Sequence, residues 1–261
     1  MNSILRKAEL FTQDCLKYDI PRLKAEVLPD DVKREENDLY DVYYTAGTPD
    51  ASEAYFLIHG GAFVYGDKIN DRNFGMRLAK ASGIPVVNAN YSLMPSVGLE
   101  EQLEELDRII ETVEKKFGYS RLHFTGDSAG GYLAMMCALR HKNAKSASLI
   151  CGAYRNDRND FPGALFAKDG SAVPDWYYDL TLKADELRGM DVAIITGEND
   201  FLREQNRELA ALLEGNCIFY DAPNKDGRNM EHVFPITNPD WPEGEKTIEI
   251  IASFSNNFPE N

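Results

Sequence analysis

The sequence has no apolar run near the roughly 20 residues needed to span a bilayer as a helix, so no membrane span is expected in its 261 residues. Cysteine is scarce. Cys15, Cys137, Cys151 and Cys217 stand far apart and show none of the paired spacings of a zinc site or a redox motif. Reduced thiols in a cytoplasmic protein are the expectation. The segment from Met1 to Ile20 lacks both the apolar stretch and the small-residue cleavage site of an export signal. Basic residues are outnumbered, 28 against 43 acidic, for a net charge of −15. Such a field repels phosphate backbones and anionic lipid surfaces, so no nucleic-acid partner is expected. The sequence contains no H-E-x-x-H, no G-x-x-x-x-G-K-[ST] and no G-x-G-x-x-G after a strand, so no metal and no cofactor are expected.

What is present suits a globular protein: 43% hydrophobic and 27% charged residues, enough for one substantial core. The 12 prolines and 19 glycines are scattered rather than gathered into a linker, so residues 1–261 are expected to form a single domain. A first helix is expected from Ser3 to Tyr18, then two short antiparallel strands between Leu23 and Tyr44. Short strands are expected at 54–58, 85–89, 121–125, 147–151, 192–196 and 217–220, and a terminal helix near Lys246 to Phe254. Helical spacings lie between the strands, most clearly Leu99, Leu103, Leu106, Ile110, Val113 and Phe117, which share one face. Alternating strands and helices predict an α/β fold whose mainly parallel sheet is covered on both faces. In such sheets ligands sit at the C-terminal ends of the strands.

The chemistry-bearing residues fall at those ends. Gly126-Asp127-Ser128-Ala129-Gly130 matches G-x-S-x-G, the tight strand-to-helix turn that pushes a serine hydroxyl into the open. A hydroxyl is a weak nucleophile until a base takes its proton. Of the four histidines, His59 belongs to a His-Gly-Gly turn, His123 to a strand and His141 to a helix end. That leaves His232, late in the chain, as the candidate base. The base needs an acid to hold its tautomer. Asp200 follows a predicted strand between Ser128 and His232, the chain order expected of this arrangement, with Glu198 as the alternative. Backbone N–H groups of Gly60, Gly61, Ala62 and Ala129 are the candidate oxyanion donors.

Taken together, these motifs resemble the hormone-sensitive-lipase-like branch of the α/β-hydrolases, a family of carboxylesterases and lipases. His59-Gly60-Gly61, Gly126-Asp127-Ser128-Ala129-Gly130-Gly131, Asp200-Phe201-Leu202-Arg203 and His232-Val233-Phe234 are similar to the family's H-G-G-G, G-D-S-A-G-G, D-P-L-R and H-G-F. They cover Tyr55 to about Phe234 in order. Two departures stand out. Ala62 replaces the third glycine, and Asn90-Tyr91-Ser92-Leu93-Met94-Pro95 lacks the Asp and Arg of the family's D-Y-R-L-A-P. The N-terminal section is short for the family, which implies a reduced cap, and residues 154–185 are expected to form what remains of it. Their aromatics, Phe161, Phe166, Trp176, Tyr177 and Tyr178, either line a pocket over Ser128 or dock the insertion on the core.

The resemblance implies a serine hydrolase acting on small, neutral, short-acyl esters through an acyl-enzyme, with a small-molecule ester as its partner. Amide cleavage by the same residues, as in a peptidase or an arylformamidase, is one alternative. A small-molecule-binding relative without catalysis is another.

Overall fold

Runs such as Ala54-Tyr55-Phe56-Leu57-Ile58 are apolar at every position because both faces of the strand they form are covered. Ala54, Phe56 and Ile58 join one hydrophobic cluster, and Tyr55 and Leu57 join the other. The computed structural model describes residues 2–46, 52–168 and 172–255. Helix α1 (Asn2–Ala25) precedes the antiparallel pair β1 (Val32–Glu36) and β2 (Tyr40–Thr45). Then come β3 (Glu53–Ile58), α2 (Arg72–Ser82), β4 (Val86–Ala89), α3 (Leu99–Phe117), β5 (Arg121–Asp127), α4 (Ala129–Arg140) and β6 (Ala144–Ile150). After an irregular segment, β7 (Asp191–Gly197), α5 (Arg203–Leu212), β8 (Ile218–Ala222), α6 (Phe234–Thr237) and α7 (Pro242–Ala252) complete the chain.

The eight strands form one sheet in the order β1-β2-β4-β3-β5-β6-β7-β8. Only the β1/β2 and β2/β4 pairings are antiparallel; those from β4 through β8 are parallel. Buried residues of α3, α4 and α5 pack in one cluster, and those of α2, α6 and α7 in the other, so the sheet is covered on both faces as expected. On α3, Leu99, Leu103, Leu106, Ile110 and Val113 are fully buried, and Phe117 packs at the rim. Glu101 caps the start by accepting the Gly98 N–H at 2.6 Å, and Gly118, at φ 78°, ends it in the left-handed region.

The first helix runs past the expected end at Tyr18, through Pro21 to Ala25. Its last turns are held from outside. Tyr65 and Asn70 both donate to Asp19, and Arg22 donates to the Asn70 carbonyl. Helix α7 starts earlier than Lys246 because Pro242 sits at its first position, where its ring presets φ and a missing N–H costs nothing. Among the described residues no helix is long and apolar enough to cross a membrane.

Residues 154–185, apart from 169–171, which lie outside the described residues, form 3-10 turns and loops over the ends of α3 and α4. Phe166 is 1% exposed and packs against Phe63, Tyr132 and Tyr178. The Tyr177 carbonyl accepts from Tyr132, and the Tyr177 hydroxyl donates to Glu100. These side chains fasten the segment down. Of the five aromatics expected there, Phe161 alone lines the cavity above Ser128.

Candidate active site

Strands β3, β5 and β7 end at the same edge of the sheet, so the turns that follow them lie side by side. Ser128 occupies the turn from β5 into α4 at φ 53° and ψ −117°, a backbone conformation that costs a side-chain-bearing residue about 1–3 kcal/mol. Its N–H donates to the Ile150 carbonyl, and its own carbonyl accepts from Tyr132 and Ala153. The flanking glycines permit this because α4 starts almost in contact with β3. A methyl group on Gly130 would lie 2.0 Å from the Ile58 carbonyl oxygen and 2.6 Å from that of His59. Both neighbours are backbone and cannot swing away. Gly130→Ala is therefore expected to lower stability by about 2–3 kcal/mol, read as a lower urea midpoint; an unmoved midpoint would refute this account of the turn.

His232 lies in the loop between β8 and α6, and the structure brings it to Ser128. The serine Oγ is 2.8 Å from His232 Nε2, and His232 Nδ1 is 2.7 Å from Asp200 Oδ1. The Asp200 side chain is fully buried, whereas the imidazole is 19% exposed, so the ring faces the cavity and the acid sits behind it. Asp200 also accepts from the Leu202 N–H and the Thr196 hydroxyl. Burial alone would push this carboxyl up. The His232 bond and charge, followed by those two donors, outweigh burial and hold it below the usual carboxylate range.

The loop bearing His232 is fastened to the turn bearing Asp200. Asn199 N–H donates to the Met230 carbonyl, and Asn224 links to Met230 N–H, Asn199 and Glu198. Glu198, the alternative acid, is exposed and accepts from the Asn224 N–H. The other histidines are engaged elsewhere: His123 with Ser146 and Glu53, His141 with Asp107, and His59 with the Gly60 carbonyl.

The turn after β3 enters the left-handed region at Gly61, Ala62 and Phe63, with φ of 107°, 50° and 64°. Phe63 pins it by inserting a fully buried ring edge-on to Tyr132 and Phe166. His59, stacked on Tyr91, anchors the other end, and burial lowers its pKa to about 4, so the ring is neutral. One expectation is corrected here. The Gly60 N–H donates to Asp127 Oδ1 at 2.8 Å, which removes it from the candidate oxyanion donors. Gly61 and Ala62 line the cavity beside Ser128, and Ala129 opens α4, where first-turn N–H groups have no intrahelical acceptor.

The cavity has a volume of about 560 Å³, within the range of small-molecule sites. Residues 154–185 contribute Arg155, Asn156, Asp157, Phe161 and Pro162 to its lining, and α1 adds Phe11, Cys15, Asp19 and Arg22. The Phe11 and Phe161 rings lie 5.7 Å apart. Phe11, Cys15, Asp19 and Arg22 are spaced four, four and three along one helix face; nothing local said what the face covered. Thr196 and Asp71 were likewise missed, being ordinary residues whose neighbours come from distant segments. Among the described residues, Cys151, Asp200 and His232 bring three potential metal-ligand atoms within 4.8 Å. Burial raises the Cys151 thiol well above its ordinary value, and Asp200 and His232 are bonded to each other at 2.7 Å.

Fold and site together define the class: an α/β hydrolase with serine, histidine and aspartate in register at the strand ends. The chain belongs to the alpha/beta hydrolase fold family, whose model matches residues 55–235. Among solved structures it is similar to esterase B from Lactobacillus rhamnosis, with a TM-score of 0.82 and 23% identity, over 97% of this chain and 94% of that one. It is also similar to a thermostable esterase from Pseudomonas putida, with a TM-score of 0.77 and 16% identity, over 96% and 91%. An esterase from the bacterial hormone-sensitive lipase family matches with a TM-score of 0.75 and 18% identity, over 91% and 88%. At these identities the likeness is one of fold, and it agrees with the resemblance read from the motifs.

Proposed function

We propose that the protein is a carboxylesterase that cleaves small, neutral, short-acyl esters through an acyl-enzyme on Ser128. The observation that carries this reading is the unbroken chain from Ser128 Oγ to His232 to Asp200, at 2.8 and 2.7 Å. His232 Nε2 takes the hydroxyl proton as Oγ attacks the ester carbonyl, while Asp200 holds the Nδ1–H and stabilises the imidazolium. Negative charge on the carbonyl oxygen is met by N–H groups of Gly61, Ala62 and Ala129. His232 then protonates the departing alcohol, and water repeats the sequence on the acyl-enzyme.

Size and charge of the cavity support the substrate class. Phe11, Phe161, Leu202, Val233 and Ile236 supply apolar wall, and Asp19, Asp127 and Asp157 against Arg22 and Arg155 disfavour an anionic ester. Each methylene that fits contributes about 0.8 kcal/mol of burial. Across p-nitrophenyl esters, kcat/KM is therefore expected to rise by up to about fifteenfold from acetate to butyrate. By dodecanoate an enzyme for short acyl chains should fall about tenfold or more below its maximum. A profile that climbs steadily to dodecanoate would contradict the short-acyl assignment. The four free cysteines suit a reducing compartment, in keeping with a cytoplasmic enzyme.

A further inference from the structure

Two carboxyls lie deep in the cavity wall: Asp127, at the end of β5 beside Ser128, is 5% exposed, and Asp71 is 2% exposed. Asp71 stands at the N-cap of α2, yet its side chain accepts no N–H from that helix. Instead it is in hydrogen-bond contact with Asp127, the same carboxyl that accepts the Gly60 N–H at 2.8 Å. Two carboxylates in contact have only acceptors to offer and repel one another. Asp71 Oδ2 is also buried with no donor reaching it. A single proton removes the conflict, because a carboxylic acid supplies the missing donor and carries no net charge into the wall.

We propose that Asp71 and Asp127 share one proton, held on Asp71, and that this neutral-plus-anionic pair positions the His59-Gly60-Gly61 turn against Ser128. The surroundings decide which group keeps the proton. Burial opposes ionisation of both. Asp127 gains from its bond to Asp71, from the nearby His232 and from the Gly60 N–H. Asp71, after burial, is raised by the charge and the bond of Asp127; among its other neighbours on α1, Arg22 pulls the other way and Asp19 adds to the rise. Two further titratable groups lie beside the pair: Tyr91, whose hydroxyl donates to the His59 carbonyl and which both aspartates raise, and the Cys151 thiol, which burial raises first and Asp127 also raises. Asp71 thus acts through Asp127 and the Gly60 N–H, as a positioning residue. Its catalytic consequence rests on the esterase reading above; the protonation itself does not.

A raised carboxyl pKa means that the folded chain keeps a proton the unfolded chain releases above about pH 4. The unfolded state then binds fewer protons, so stability declines as pH rises from there through the folded value. Asp71→Asn keeps a neutral donor facing Asp127 at every pH and should abolish this decline. The primary test is carbon-13 NMR of the intact protein with carboxyl-labelled aspartate. One resonance should stay at the protonated position at pH 7 and vanish in Asp71→Asn. In parallel, the Tm of Asp71→Asn relative to wild type should rise progressively between pH 5 and pH 9. With p-nitrophenyl butyrate, wild-type kcat should fall on the alkaline side, and Asp71→Asn should keep kcat within about threefold near pH 6 and lose that fall. Asp71→Leu, which has no donor, should lose about tenfold in kcat at all pH values.

A purely structural Asp71 would depress both variants alike and leave the pH profile in place. Ionised shifts for every aspartate at pH 7 would overturn the proposal, as would a Tm difference independent of pH. Should Asp71→Asn not fold, the wild-type resonances decide alone. The NMR and Tm measurements use no substrate, so a failed esterase assay leaves them intact.

Discussion

Replacing Ser128 with alanine is expected to reduce kcat on p-nitrophenyl butyrate by about 10⁴-fold or more, leaving the residual rate that binding and oxyanion donors provide. Labelling by a fluorophosphonate should disappear with it, read as loss of the mass increment on the peptide that carries residue 128. The fold should survive the change. Ser128 is tied into the elbow by its backbone, through Ile150, Ala153 and Tyr132, and its hydroxyl bonds only His232. Alanine keeps those backbone bonds at the same strained φ, so Tm should shift by no more than a few degrees. Undiminished turnover, or label retained at another residue, would remove Ser128 from the mechanism and the esterase reading with it.

The second large effect separates two acids that lie two positions apart. Asp200→Asn should lower kcat by about 10⁴-fold, because an amide can present its NH₂ to His232 Nδ1 and favour the tautomer that cannot accept the serine proton. Glu198→Gln should change kcat by less than about threefold, since its carboxylate only accepts the Asn224 N–H at the surface. The acid stability of Asp200→Asn should change as well. A carboxyl held below its usual range stabilises the fold above the ordinary carboxylate pKa, and that contribution is lost as pH falls through the lowered value. The variant lacks this term, so its Tm should fall less than wild type's below pH 4. Equal losses from the two substitutions would mean that His232 is oriented by something other than Asp200.

Most of the architecture was legible in the chain because it is written locally. Parallel strands buried on both faces favour apolar runs such as 54–58 and 192–196, and every strand expected between residues 54 and 220 forms. The nucleophile turn was legible for a related reason. Gly126, Ser128 and Gly130 are close in sequence, and the turn's geometry excludes most other residues at the glycine positions. His232 and Asp200 were reached by elimination and chain order. What brings them together is three-dimensional: the Asn199 and Asn224 bonds that lash the last loop to the turn after β7.

Other features had no local signature. The N-terminal helix gives no sign of what it covers, yet it forms part of the cavity wall, where Tyr65 and Asn70, 46 and 51 residues from Asp19, hold its last turns. The aromatics of 154–185 looked equally suited to pocket and packing, and rings 5.1 to 5.7 Å apart placed Phe166 in the packing. The Gly60 N–H could not be removed from the oxyanion donors until Asp127 was found beneath it. By itself, then, the sequence determined the strands, the helices and the serine turn, whose causes are side-chain size and spacing within a few residues. Only the tertiary structure decided which acid meets His232, which N–H groups face the cavity, what covers it and where two buried carboxyls touch. Each of those depends on groups brought together from distant parts of the chain, whose burial and mutual charge exist only after folding.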